Sequence, residues 1–320
     1  MIRDLPTRAL GRREWLKAVS GAFAFVPALA ADAGLKAKAK QNLKLAIFDR
    51  VYARLPLEEA ARKIKADGFH GVILGFSYAD IRFDSLAPDW GAATKITDCF
   101  ARQGIKIVGL SAYYNVVDPD SARRERGEKQ MQLFIANWKR LGSPVICTET
   151  GTLNSKSKWL DVPENATEEA YLQCRANLTK MVKAAEKTGA IIAIEPYWRN
   201  VIDSPVRTER LLREVNSPSL KLVMDPCNYF RQADLDQMQP MLEDIFRRVG
   251  GQTVLAHAKD VKAAAEGPDL PAAGLGVLDY PRYLRLLAGL DREIYLAVEH
   301  LTLEDVPRAR DYVLSQFERI

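Results

Sequence analysis

Histidine is scarce in this chain, with three residues in 320: His70, His257 and His300. A multi-metal phosphodiester-cleaving centre draws on several imidazoles, so this supply argues against a DNA-repair type of endonuclease. The four cysteines, Cys99, Cys147, Cys174 and Cys227, show no CxxC spacing, which excludes a zinc ribbon or a dithiol redox pair. They fall on separate predicted elements and are read as buried free thiols. No Gly-rich fingerprint follows the first apolar run, so a dinucleotide-binding open sheet is disfavoured. No apolar run reaches the roughly 20 residues that a permanent membrane span requires. Surplus charge is missing too, once its position is examined. The formal charge is +5, but residues 1–42 hold eight Lys/Arg against Asp4, Glu14 and Asp32, which accounts for all of it. The remainder offers no electrostatic footprint for a nucleic-acid backbone.

The leader reads Gly11-Arg12-Arg13-Glu14-Trp15-Leu16-Lys17, then an apolar run from Ala18 to Leu29, then small residues at Ala28, Ala30, Ala31 and Ala33. It resembles a bacterial twin-arginine export signal, which carries folded, cofactor-loaded proteins. The expected organisation is a signal peptide over 1–33, a Lys/Ala-rich linker over 34–42 and one catalytic domain over 43–320. The resemblance implies a periplasmic location and no stable membrane span after cleavage.

From residue 43 onward, short β-branched runs alternate with longer amphipathic stretches eight times. The runs cover 43–49, 71–76, 105–111, 145–150, 191–197, 221–225, 253–259 and 294–299. Each follows a turn or helix stop such as Asp67-Gly68, Gln103-Gly104, Gly142-Ser143-Pro144 or Thr188-Gly189. Buried parallel strands have this length and these borders. The clearest helix spans 168–187, with Ala170, Leu172, Cys174, Leu178, Met181, Val182 and Ala185 assigned to one face. Strict alternation over about 270 residues predicts the α/β class and a single (β/α)8 TIM barrel.

In such a barrel the working face lies at the C-terminal ends of the strands. The last four strands end in Ile194-Glu195-Pro196, Met224-Asp225-Pro226, Ala256-His257-Ala258-Lys259-Asp260 and Val298-Glu299-His300. Two residues before each ligand type stand Ala193, Val223, Leu255 and Ala297, an apolar layer expected beneath them. One acid at a strand end is ordinarily a cap or an ion-pair member. Three buried together need a cation, because their mutual repulsion and desolvation otherwise cost several kcal/mol. Glu195, Asp225, His257 and Glu299 are therefore the expected metal ligands. Three carboxylates and one imidazole without thiolate suit Mn2+ first, with Mg2+, Co2+ and Zn2+ compatible.

These residues carry a family resemblance. Ile-Glu-Pro at Glu195, Asp-Pro-x-Asn from Asp225 to Asn228, His-x-Lys-Asp from His257 to Asp260, Gly-x-Gly-x-x-Asp-Tyr from Gly274 to Tyr280 and the terminal Glu299 together resemble the sugar phosphate isomerase/epimerase group, the xylose isomerase-like barrels. The resemblance covers the whole chain after the leader. It implies that Glu195 and Glu299 double as the acid/base pair, and that the partner is a small-molecule carbohydrate. Two positions depart from the pattern: Asn228 stands where sugar epimerases commonly place His, and Ala263 where they often carry Arg. Substrate identity is therefore not transferred, and Lys259 or Lys262 is the expected replacement for that Arg.

Proton abstraction next to a carbonyl, through a metal-bound enediolate, gives isomerisation or epimerisation according to where the proton returns. Elimination on a keto-sugar glycoside, a lyase reaction, begins with the same step, and a non-catalytic carbohydrate-binding barrel is the third reading. The expected substrate-binding residues are Asn228, Lys259, Glu149, Trp198 and Tyr113, with Tyr197 beside them. His300 is expected to face the helices or a loop, and His70 the stability face. The oligomeric state is open, with a homodimer compatible.

Overall fold

Side chains of Leu, Ile and Val fill the eight runs, and in the computed structural model, which describes residues 34–320, each run is a buried strand. The strands are β1 Leu43–Phe48, β2 Gly71–Leu74, β3 Lys106–Ser111, β4 Val145–Glu149, β5 Ile191–Glu195, β6 Leu220–Met224, β7 Thr253–Ala258 and β8 Ile294–Val298. All neighbours pair in parallel, and β8 pairs back onto β1 with Ala297 opposite Ala46, closing the barrel. Closure removes both sheet edges, so every strand keeps its backbone bonds satisfied.

Between the strands run α1 Leu57–Ala66, α2 Trp90–Arg102, α3 Ser121–Leu141, α4 Glu168–Thr188, α5 Pro205–Val215, α6 Met238–Val249, α7 Tyr280–Ala288 and, last, α8 Val306–Gln316. Side-chain caps set their starts: Asp89, Asp120, Thr167, Ser204 and Asp279 each accept from a backbone N–H of the first turn. Gly142 and Gly189 end α3 and α4 at φ of +91° and +77°, which is why those expected stops hold. On α4 the buried face contains Tyr171 and not Leu172, which is half-exposed. With about 100° between successive residues, Tyr171 shares a face with Cys174 and Leu178, whereas Leu172 turns outward.

Two apolar layers result. The larger lies between strands and helices. The smaller fills the barrel itself with Ala46, Phe48, Ile73, Val108, Cys147 and the four predicted floor residues Ala193, Val223, Leu255 and Ala297. All four cysteines are buried and free.

The expected leader over 1–33 lies outside the described residues. The expected linker, 34–42, is helical, as its Ala and Lys content favours, and Lys36 Nζ meets the Glu318 carboxylate at 3.0 Å. Among the described residues no helix is long and apolar enough to cross a membrane.

Candidate metal centre and cavity

Four strand ends deliver the polar groups. Glu195 closes β5, Asp225 follows β6, His257 is the penultimate residue of β7 and Glu299 follows β8. Each offers one ligand atom, and these atoms all lie within 4.8 Å of one another. From His257 Nδ1 the nearest oxygens are Glu195 Oε1 at 3.3 Å, Glu299 Oε1 at 3.5 Å and Asp225 Oδ2 at 3.6 Å. All four residues are buried, and the His257 ring is fixed edge-on against Phe48, 5.2 Å between centroids.

The buried polar atoms reveal what this arrangement lacks. Among the described residues neither ring nitrogen of His257 has a hydrogen-bond partner. Asp225 Oδ2 and Glu299 Oε1 meet Lys259 Nζ at 2.6 and 2.8 Å as ion pairs, without hydrogen-bond alignment. An orphaned buried polar atom costs about 1–3 kcal/mol, so native structures supply partners. Charge tells the same story. Three carboxylates and one ammonium leave a buried cluster two charges negative, which a divalent cation neutralises. Donor chemistry, spacing and charge all fit one such ion held by Glu195, Asp225, His257 and Glu299.

On the protein's own charges, the cluster shifts its protons accordingly. Burial alone raises a carboxyl group, but the His257 and Lys259 charges override it and hold Glu195 down at about 2 and Glu299 well below the usual range. Burial opposes charge on His257 and Lys259 too, yet the surrounding carboxylates push both well above their ordinary values. A cation held by His257 would take the place of the proton on its imidazole, since a ligating imidazole is neutral.

Above this floor opens a cavity of about 380 Å³. Tyr113, Glu149, Asn228 and Lys259, all expected substrate-binding residues, line it together with Glu195 and Glu299. Tyr113 donates from its hydroxyl to Glu195 Oε2 at 2.7 Å, and Asn228 donates from Nδ2 to Glu195 Oε1 at 2.8 Å. Burial and the Glu195 charge push the Tyr113 phenol well up, so it stays a donor. Glu149 pairs with Lys158 at 2.8 Å, and burial still raises its carboxyl group. Its Oε2, and Nδ2 of the buried cavity residue Asn200, have no hydrogen-bond partner among the described residues.

Other expectations are placed elsewhere. Trp198 lines a separate crevice with Asp161, Asn165 and Arg231, its ring beneath the Arg199 guanidinium, and only Tyr197 of that pair borders the cavity. Tyr197 and Trp198 are adjacent, and successive residues diverge once the strand has ended. Lys262 pairs with Asp269 at 3.3 Å on the outside. His300, expected to face away, borders the cavity, because its backbone turns through φ +58° and its ring Nδ1 donates to the Leu270 carbonyl at 2.5 Å. Sequence reasoning also missed Arg50, Lys158, Trp159 and Asn200. Arg50 directly follows the expected end of β1, so the strand-end rule, extended to the first strand, points to its neighbourhood; the other three sit in loops without periodicity.

The Gly-x-Gly-x-x-Asp-Tyr segment has a structural role. Asp260 accepts from the backbone N–H groups of Val261, Gly274 and Leu278, folding the loop over 260–279. Gly276 passes so close to Asp260 and to the Val261 carbonyl that a Cβ has no room.

The model of a protein family, the xylose isomerase-like TIM barrel, matches residues 61–314. No curated protein matches the chain. Among solved structures, an L-ribulose 3-epimerase aligns with a TM-score of 0.64 at 14% identity, covering 87% of this chain and 95% of its own. A xylose isomerase-like TIM barrel protein from Mycobacterium smegmatis, in complex with magnesium, gives 0.63 at 14%, covering 88% and 98%. The probable 3-DHS dehydratase from Bacillus anthracis gives 0.62 at 13%, covering 86% and 97%. At these identities the likeness is one of fold.

Proposed function

The chain belongs to the xylose isomerase-like TIM barrel family, and on that footing we propose that it is a metal-dependent sugar isomerase or epimerase. The observation that carries the reading is the convergence of four ligand atoms within 4.8 Å under a cavity that two of the same residues, Glu195 and Glu299, also line. Glu195, Asp225, His257 and Glu299 would hold the ion, Mn2+ as first candidate, and it would supply Lewis-acid chemistry beside a carbonyl group.

The chain's own groups do the rest. One of Glu195 and Glu299 takes the proton from the carbon beside the carbonyl, and the other returns one, so the pair works as base and acid in turn. Tyr113 and Asn228 occupy both oxygens of Glu195 and hold that carboxylate in one orientation. Lys259 keeps its charge beside Glu299 and is placed to donate to a substrate oxygen. Glu149 Oε2 and Asn200 Nδ2 receive hydroxyl groups at the other side of the cavity. Return of the proton to a different atom isomerises the sugar; its return on the opposite face epimerises it. The leader's resemblance to a twin-arginine signal supports a periplasmic place for this work, on sugars that reach it there.

The test is solvent exchange. Metal-loaded protein is incubated in D2O with a panel of ketoses and keto-glycosides, and deuterium at the α-carbon is read by mass spectrometry and NMR. Incorporation that disappears in Glu195→Gln and in Glu299→Gln supports the shared proton transfer. Loss of mass from the product instead identifies elimination. A metal-replete protein that exchanges nothing across the panel is a binding module, and the reading fails.

A further inference from the structure

Among the described residues, Arg50 is the cavity cation left over once a divalent ion is counted with the protein's own charges. Four carboxylates among the described residues face the cavity or its floor: Glu149, Glu195, Asp225 and Glu299. Lys158 is committed to Glu149 at 2.8 Å, and Lys259 to Asp225 and Glu299 at 2.6 and 2.8 Å. These two ammonium groups and a divalent ion balance the four carboxylates. Among the described residues the Arg50 guanidinium then has no counter-charge of its own. Its closest acidic oxygen, Glu299 Oε2, is 3.8 Å away, beyond hydrogen-bond reach, and the side chain is 59% exposed at the cavity mouth.

Position makes the surplus usable. The Arg50 guanidinium carbon stands 4.4 Å from the centre of the Phe48 ring, and Phe48 is itself packed against His257 in the barrel mouth. A guanidinium resting on an aromatic face presents its N–H edge, the fork that takes a carboxylate or phosphate with two parallel bonds. Across Glu299 lies the imidazole of His300, whose Nε2 is 3.9 Å from Glu299 Oε1 while Nδ1 is held by the Leu270 carbonyl. Glu299 is thus flanked by two nitrogen bases, of which Arg50 always carries charge.

We propose that Arg50 is an anion-recognising, specificity-determining residue and that the substrate is an acidic sugar, bearing a carboxylate or phosphate. Because the guanidinium lies beside Glu299, the acidic group it holds sits close to the carbon whose proton is moved. Neutral ketoses lack the group that compensates Arg50 and bind more weakly. This inference rests on the proposed metal-dependent sugar reaction for its substrate class, but its test reads binding and does not require turnover.

Calorimetric titration of the metal-loaded protein uses three probes: D-gluconate, D-glucose 6-phosphate and the neutral D-glucitol. At least one of the two anions is expected to bind about tenfold or more tightly than glucitol, the contribution of one forked charge pair. Whichever anion gains identifies the acidic group. In Arg50→Met, with metal content and circular dichroism unchanged, that preference collapses to within about twofold, and Arg50→Lys restores part of it. Equal affinity for all three probes, no anion binding at tens of millimolar, or a preference that survives in Arg50→Met overturns the proposal, the last because the metal alone then accounts for it. Arg50-dependent anion binding without any solvent exchange sinks the proposed reaction and leaves the acidic-ligand site standing. Exchange on neutral ketoses without an anion preference does the reverse.

Discussion

Lys259 and Asp225 form a wholly buried ion pair, Nζ to Oδ2 at 2.6 Å, in the floor of the barrel mouth. The ammonium reaches Glu299 as well, so one lysine is wedged between two of the oxygens that face the His257 ring. It acts as a fixed positive charge that makes a cluster of three carboxylates tolerable to the fold before any ion binds.

Replacing that lysine separates the two sources of positive charge. Lys259→Met takes one positive charge out of the cluster, and removing one partner of a buried ion network costs about 3–5 kcal/mol. The melting temperature in EDTA is therefore expected to fall sharply, and most of the loss to return when MnCl2 is added. The apo-to-loaded gap widens relative to the unmodified protein. Scanning fluorimetry with and without metal decides it; equal losses in both conditions mean that Lys259 is not part of the ion's balance.

Tyr113→Phe removes the hydroxyl that donates to Glu195 Oε2. A hydrogen bond to a charged group is worth about 1.5–3 kcal/mol, so turnover is expected to drop roughly ten- to a hundredfold with metal still stoichiometric. A donor to the carboxylate favours its charged form, and without it the Glu195 carboxyl group titrates higher. The acid limb of the rate profile then moves to higher pH. Unchanged kcat with raised KM shows instead that the phenol serves substrate binding alone.

Gly276→Ala forces a methyl group into the Asp260 carboxylate and the Val261 carbonyl. Both are held by the folded loop, so neither yields cheaply, and overpacking of this kind costs about 1–3 kcal/mol. The loop also carries Leu270, whose carbonyl fixes His300. A lower urea midpoint together with weakened activity is expected; full activity at unchanged stability means that the loop accommodates a side chain here.

Asp49 gives the fold a pH dependence of known sign. It accepts from the N–H groups of Gly75 and Phe76 and from the Tyr78 hydroxyl, tying the end of β1 to the end of β2. Burial outweighs these three donors and pushes its carboxyl group from 3.8 up to about 6. The native protein thus binds this proton more tightly than the unfolded chain. The contribution is full below about 3.8 and is lost as pH rises through 6, on the order of 3 kcal/mol. Urea unfolding of the unmodified protein and of Asp49→Asn at pH 4 and pH 7 reads it: the difference between the two is expected to move against the unmodified protein by that amount. A flat difference, or one of opposite sign, means that the three donors dominate.

The sequence by itself determined the barrel and the four-residue cluster whose chemistry fits a metal ion. Eight β-branched runs, their turn residues and the spacing between them are local properties, and a closed parallel barrel is the arrangement that buries all eight. The period of two along a strand then places Ala193, Val223, Leu255 and Ala297 under Glu195, Asp225, His257 and Glu299, and both layers are found where that alternation predicts. Tertiary structure alone decided who else reaches the cavity. Past the last strand residue no periodicity governs side-chain direction, so Tyr197 and its neighbour Trp198 part company, and the left-handed turn at His300 brings an imidazole inward. Arg50, Lys158 and Asn200 come from three different loops that barrel closure gathers around one opening. Convergence of that kind depends on the relative placement of distant segments, which no stretch of sequence encodes on its own.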